Sequence, residues 1–132
     1  MKTRPLLVLI IFATLPLSGC PLVLLGGGAA VGAGAVAYTQ GELRSVEAAT
    51  FERTWDAVHE ATRDLGFIIT DQNKEPDSAS VEARTQDNKE VKIELSAKAP
   101  TATEIRIRVG MFGNEALSRV ILEKIKRNIG AA

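Results

Sequence analysis

The chain is poor in the residue types that build covalently stabilised or catalytic sites. Its 132 residues include one cysteine, one histidine, one tryptophan and one tyrosine. A single cysteine excludes an internal disulfide and a cysteine-based zinc site, so packing alone has to hold the fold. His59, the only histidine, lies beside an apolar helical stripe, and we expect it at the boundary of that helix rather than in a catalytic or metal site.

The chain also lacks a charge imbalance. It carries 16 basic and 16 acidic side chains, and without residues 1–19 the counts become 14 and 16, a net charge of −2. A near-neutral body gives no electrostatic reason to expect nucleic acid as a partner. Residues 32–37 formally match the dinucleotide motif G-x-G-x-x-G/A, which requires a strand before it and a helix after it. Here the lipobox-like Cys20 lies just upstream and a strand-like segment follows. We therefore expect no cofactor.

The N-terminus has the pattern of an export signal that ends in a lipid anchor. Lys2 and Arg4 precede the apolar residues 6–17, a run shorter than the roughly 20 residues that span a bilayer. Leu17-Ser18-Gly19-Cys20 follows and resembles the lipobox of bacterial lipoproteins. The resemblance implies a diacylglyceryl thioether on Cys20, cleavage before it, and acylation of the new amine, for example with palmitate. Pro21 stands where an aspartate would resemble an inner-membrane retention signal, so we expect the outer membrane, facing the periplasm.

We predict three parts along the chain. Residues 1–19 are the signal peptide, residues 20–37 hold the lipidated cysteine and a Gly/Ala-rich apolar spacer, and residues 38–132 form a periplasmic domain. The spacer has two interpretations. It is a flexible segment near the bilayer surface, or it is a membrane helix that associates through small residues four apart. Those small residues are Gly26, Ala30 and Gly34, together with Gly28 and Gly32.

The rest of the chain predicts a two-layer α+β sandwich. Residues 38–48 suggest a first strand, residues 67–70 begin another before a turn-rich stretch at 71–80, and three strands with clear period-two alternation follow. Their apolar positions are Val81, Ala83, Thr85, then Val91, Ile93, Leu95, Ala97, then Ile105, Ile107, Val109. The order β-α-β-β-β-β-α then gives an antiparallel sheet with both helices on its apolar face.

Two helices are expected from capping residues and apolar stripes. The first begins after Thr50 and ends at Gly66, and the second begins after Asn114 and ends at Gly130. The stripes are Phe51, Trp55, Val58, Thr62, Leu65 in the first and Leu117, Ile121, Ile125, Ile129 in the second. We interpret Phe51 and Trp55 as core residues rather than an aromatic ligand platform.

The polar face of the sheet is the candidate interaction surface. Its side chains for this role are Arg84, Lys92, Glu94, Arg106 and Arg108. They suit another envelope protein or the sugar chains of the cell wall. The alternative is a solvated face on which opposite charges pair across strands. Likewise, residues 110–115 form either an anion-binding helix start or, as we prefer, a tight connection capped by Asn114.

A catalytic alternative is an envelope hydrolase that uses Asp71 or Asp77 from the turn-rich stretch. It requires a concave pocket with two or more acids. The sequence signals no such constellation, and we assign no catalytic or metal-binding residues.

The expected function is a lipid-anchored, non-catalytic binding or accessory module. A membrane oligomer built through the glycine tract is the second alternative.

The chain resembles DUF3568, a family of small bacterial lipoproteins of unknown function. The resemblance rests on the lipobox, the Gly/Ala tract, the segments Tyr38-x-x-Gly41-Glu42-Leu43 and Trp55-Asp56-Ala57, and Asp64-Leu65-Gly66. Its most specific block is residues 107–118, IRVGMFGNEALS, in which Asn114 stands where the family pattern has aspartate. The resemblance implies the envelope location and the shape, and it brings no reaction, cofactor or partner.

Overall fold

One antiparallel sheet and two helices account for the secondary structure in a computed structural model that describes residues 35–131. The elements in chain order are β1 (Val36–Thr39), β2 (Glu42–Glu47), α1 (Phe51–Asp64), β3 (Ile68–Lys74), β4 (Ser78–Arg84), β5 (Glu90–Ala99), β6 (Ala102–Val109) and α2 (Glu115–Gly130). The six strands lie in the order β1-β2-β6-β5-β4-β3. The predicted α+β class with an antiparallel sheet is confirmed.

The predicted first strand is in fact two strands. Gln40 and Gly41 form a tight turn with φ of 53° and 82°, and β1 folds back on β2 in antiparallel register. This type of two-residue hairpin turn has positive φ at both central positions, a conformation that a glutamine rarely adopts. The element order is therefore β-β-α-β-β-β-β-α, with one strand more than the sequence predicts.

Strand β3 is also longer than expected. It runs from Ile68 to Lys74 through residues that the sequence assigns to a loop, and it pairs with β4 across a bulge between Ile69 and Asp71. All seven residues are exposed, because β3 is the edge of the sheet. A strand that is exposed to solvent on both faces has no alternation of apolar and polar residues, so sequence periodicity does not predict it.

The helix boundaries follow the capping residues. Thr50 accepts the N–H of Arg53 through its hydroxyl, and Asn114 accepts the N–H of Leu117. Gly66 ends α1 with φ of 72°, a conformation that suits glycine. The two predicted caps and the stop at Gly66 are confirmed, and α2 includes Gly130 before its cap at Ala131.

The core lies between the inner face of the sheet and both helices. Its members are apolar side chains from the alternate strand positions and from the helix stripes. Among the fully buried ones are Leu43, Val58, Val81, Val91, Ile93, Ile105, Ile107, Ile121 and Ile125. Phe51 is buried and Trp55 packs against the same cluster, so the core interpretation of both aromatics is confirmed.

The two helices are also joined by polar contacts. The Arg53 guanidinium donates to the carbonyl oxygen of Asn128, and Lys124 Nζ lies 3.1 Å from Asp64 Oδ2.

Neither helix in the described part of the chain has the length and apolar composition that crossing a bilayer would need.

Candidate functional site

The outer face of the sheet, which points away from the helices, carries charged and polar side chains in rows across the strands. The strand register places Glu42, Arg108, Lys92, Glu82 and Asp71 in one row and Arg44, Arg106, Glu94, Ser80 and Asn73 in the next. Each strand contributes every second residue, because side chains alternate between faces. The polar face expected from the sequence is therefore assembled from five strands.

Four cations meet near the centre of this face. Arg44 lies opposite Arg106 and Lys92 lies opposite Arg108, and we call these four residues the basic cluster. Like charges directly opposite each other on neighbouring strands repel. The cluster therefore needs anions nearby, either from the protein or from a ligand.

Glutamates interleaved with the cluster supply part of this charge. Glu94 lies 3.2 Å from Lys92 Nζ and 3.7 Å from Arg106 Nη1, and Glu104 lies 3.0 Å from Arg106 Nε. Glu42 pairs with Arg44 at 2.7 Å. Arg108 instead donates to the carbonyl oxygen of Gln40 at 3.2 Å. The prediction that opposite charges pair across strands is thus confirmed for Arg106, whose partner Glu94 lies on β5. Lys92 and Arg44 instead pair with glutamates of their own strands.

Two shallow concavities share the Glu94–Arg106 pair. One has a volume of about 340 Å³ and is otherwise lined mainly by hydroxyl and amide groups, from Asn73, Ser78, Ser80 and Ser96. The other, of about 190 Å³, is lined by Glu42, Lys92, Glu94, Arg106 and Arg108. Both can accept a polar ligand or a protein surface of mixed charge.

Of the five residues predicted for this surface, four lie together and one does not. Lys92, Glu94, Arg106 and Arg108 line the same concavity. Arg84 lies at the end of β4, opposite Glu90, and donates to the side chain of Asn88 at 3.3 Å. The sequence analysis missed Glu42 and Arg44. They alternate with Leu43 and Ser45 along β2, but this strand is too short for its alternation to be recognised from the sequence alone.

His59 has a structural position. Its Nδ1 lies 3.0 Å from the carbonyl oxygen of Trp55, and its Nε2 lies 2.7 Å from Oε1 of Gln72 on β3. The ring is half-buried and lies against Trp55, with ring centroids 4.3 Å apart. The expected boundary position in the helix is confirmed, and its contact with Gln72 connects α1 to the edge of the sheet.

The two acids of the hydrolase alternative are both exposed. Asp71 lies on the outer face of β3 and Asp77 lies in the turn between β3 and β4. Within residues 35–131 no three His, Cys, Asp or Glu side chains are grouped closely enough to hold a metal ion. The enclosed pair of carboxylates that this alternative requires is not formed by Asp71 and Asp77.

The connection between β6 and α2 has an unexpected feature. It is the tight, Asn114-capped turn that the sequence favours, but Met111 is 83% exposed and Phe112 is 90% exposed. Periodicity cannot identify such residues, because the loop has no repeating pattern.

Cys20 and the Gly/Ala tract fall outside the described residues, so the lipidation and membrane-oligomer predictions remain predictions.

Comparison with protein families identifies a family for this chain. The model of a family described as a protein of unknown function, DUF3568, matches residues 5–128 of the 132-residue chain. Comparison with curated proteins gives no match.

Proposed function

The chain belongs to the DUF3568 family, and on that premise we propose that it is a lipid-anchored bacterial envelope protein whose domain is a non-catalytic binding or accessory module. The family match carries no reaction, so the proposal rests on the chemistry of this chain. Its two parts are an anchor at Cys20 and a binding surface on the outer face of the sheet.

The lipobox is the observation that carries the proposal. A basic start, a short apolar run and Leu17-Ser18-Gly19-Cys20 occur together and in the order that lipoprotein processing requires. The Cys20 thiol is the nucleophile that becomes a thioether to diacylglycerol. Each buried CH₂ of an acyl chain contributes about 0.8 kcal/mol, so several chains on one residue give stable anchoring. Pro21 favours the outer membrane, with the domain in the periplasm.

The outer face supports the binding part of the proposal. Arg108 has a backbone carbonyl as its hydrogen-bond partner, and it lies beside Lys92 in a concavity of about 190 Å³. A carboxylate or phosphate on a partner would find two cations there and would relieve their mutual repulsion. The neighbouring serines and Asn73 suit hydroxyl-rich groups, so another envelope protein or a cell-wall sugar chain fits this surface.

The non-catalytic part of the proposal rests on the placement of the acids. General acid–base catalysis needs a proton-transfer group held within hydrogen-bonding reach of a bound substrate. Asp71 and Asp77 are exposed, and Glu94 and Glu104 are committed to ion pairs with Arg106. These contacts favour recognition over proton transfer.

Intact-mass spectrometry of the chain purified from its own membranes tests the anchor. We expect a chain that begins at Cys20 and carries the mass of diacylglycerol plus one further acyl chain. The variant Cys20→Ala should keep residues 1–19 and gain no acyl mass. A native chain that begins at Met1 with no added mass would overturn the proposal.

In-cell crosslinking tests the binding surface. A photo-reactive residue replaces Lys92 or Arg106 in separate variants, and a third variant carries it at Glu123, an exposed position on α2. We expect a discrete adduct from the first two positions and none from the third. Equal adducts from all three positions would mean that the outer face has no special role.

A further inference from the structure

Three highly exposed apolar side chains lie at one end of the sheet. Phe112 is 90%, Met111 83% and Ile68 71% exposed. Ile68 lies opposite Arg84, Arg84 lies opposite Glu90, and the carbonyl oxygen of Glu90 accepts the N–H of Gly110 at 2.7 Å. Ile68 and the loop that holds Met111 and Phe112 are therefore at the same end, which we call the loop end.

The fold holds Met111 and Phe112 outward in a defined conformation. Gly110 and Gly113 bracket them with φ of 68° and 81°, values that glycine adopts without strain. The backbone of Gly41 packs so closely on this loop that an added Cβ there would lie 2.7 Å from the carbonyl oxygen of Phe112. The loop is thus braced by the β1–β2 turn while its two apolar side chains point into solvent, where neither contributes to the core.

Cations lie beside these apolar side chains. Met111, Lys92 and Arg108 line a hollow of about 250 Å³ together with Glu90 and Gly110. The adjacent turn between β4 and β5 holds a lysine and an aspartate, at positions 89 and 87, so the loop end carries both signs of charge. Apolar side chains flanked by lysine and arginine are the combination that binds the interface of a phospholipid bilayer.

We propose that the loop end inserts Met111 and Phe112 into the bilayer interface, with Lys92 and Arg108 at the level of the lipid phosphates. This inference rests on the proposed anchor. Cys20 precedes Val36, where β1 begins, by 16 residues. Even fully extended, 16 residues span at most about 58 Å, so an acyl anchor at Cys20 would confine the domain to that distance from the bilayer. Insertion of the loop end would then give the anchored domain a fixed orientation on the membrane.

Tryptophan fluorescence of the full acylated chain tests this inference. The probe is Phe112→Trp in a Trp55→Phe background, reconstituted into phosphatidylethanolamine vesicles containing phosphatidylglycerol, with or without bromine on the acyl chains. The matched control is Thr101→Trp in the same background. Thr101 lies in the exposed β5–β6 turn, and the length of β6 separates it from the loop end by about 26 Å. Thermal melts of both variants check that the fold is intact.

We expect the emission of the Phe112→Trp variant to shift to shorter wavelength on the vesicles and to be quenched by the bromines, with neither effect in the Thr101→Trp variant. Equal quenching in both variants, or none in Phe112→Trp, overturns the inference. A shift that depends on protein concentration and not on lipid identifies a second copy as the occupant and also overturns it. The mass of the same sample reports acylation of Cys20 separately, so a failed anchor is distinguished from a failed insertion.

Discussion

Gly113 lies in direct backbone contact with Gly41, which joins the β6–α2 loop to the β1–β2 turn. A Cβ added to Gly113 would lie 2.4 Å from both the Cα and the carbonyl oxygen of Gly41, and 2.6 Å from the Tyr38 hydroxyl. A Cβ atom does not approach non-bonded heavy atoms more closely than about 3.0 Å. The contact therefore requires glycine at position 113, and it is what braces the exposed loop.

We expect Gly113→Ala to be strongly destabilising and Gly110→Ala to be milder. Both residues have positive φ, which costs a side-chain-bearing residue about 1–2 kcal/mol. Only at Gly113 does the added methyl group also collide with backbone, since nothing lies within 4 Å of it at Gly110. Urea unfolding measures both losses, and equal losses would show that the Gly41–Gly113 contact is looser than described.

The Glu94 carboxylate should contribute modestly to stability, in a salt-dependent way. Glu94→Gln leaves Lys92 and Arg106 without this anion, and partly exposed ion pairs are worth about 0.2–1 kcal/mol each. We expect the loss of unfolding free energy to shrink in about 1 M salt, where the Debye length is about 3 Å. The matched variant is Glu123→Gln, which removes a contact to one cation, Lys126. A loss unchanged by salt would contradict a solvated ion-pair network.

Lys124 should control the ionisation of Asp64. The ammonium group of Lys124 lies 3.1 Å from Asp64 Oδ2 and, as hydrogen-bond donor and charge, lowers the pKa of this carboxyl below its ordinary value of 3.8. A lowered folded-state pKa stabilises the fold above the ordinary value, and this contribution is lost as pH falls through the folded-state pKa. In Lys124→Met, NMR titration should show the pKa of Asp64 rising towards 3.8. Lys126→Met should leave it unchanged, and the same pKa in both variants would refute the assignment.

The cap of α2 should tolerate aspartate but not alanine. Asn114 Oδ1 accepts the N–H of Leu117 at 3.0 Å, and its loss in Asn114→Ala should cost about 0.5–2 kcal/mol. A carboxylate can accept the same bond and interacts favourably with the helix dipole, so Asn114→Asp should be at least as stable as the parent chain. Thermal melts of the three proteins decide this, and an aspartate variant as unstable as the alanine variant would be inconsistent with capping.

The sequence predicts the parts of the fold whose residues alternate between water and the core. Strands β4 to β6 and both helices bury one face, so their periodicity and caps are visible in the residue order. The hairpin of β1 and β2 is not predicted, because its turn has Gln40 at positive φ. Residues 71–74 of β3 are not predicted as a strand, because both faces of β3 are exposed to solvent. In both cases the structure is set by pairing with another strand, which a local pattern does not report.

The candidate surface is predictable in composition but not in arrangement. Alternation alone places Lys92, Glu94, Arg106 and Arg108 on one face, and the register then determines which charges meet. The sequence does not show that Arg84 lies apart from these four residues, because the distance between Arg84 and them depends on where β4 ends. The exposure of the two apolar side chains in the β6–α2 loop is likewise out of reach, since apolar residues in a loop are as compatible with burial as with exposure.

The position of β1 at the sheet edge has a mechanical consequence. Any tension transmitted from the N-terminus reaches the domain first at this four-residue strand, whose residues are exposed except for the half-buried Tyr38. The fully buried side chains begin only with Leu43 on the next strand. We therefore expect a pulling force to peel β1 away first, which would release about 13 Å of chain and uncover one half-buried side chain, Tyr38.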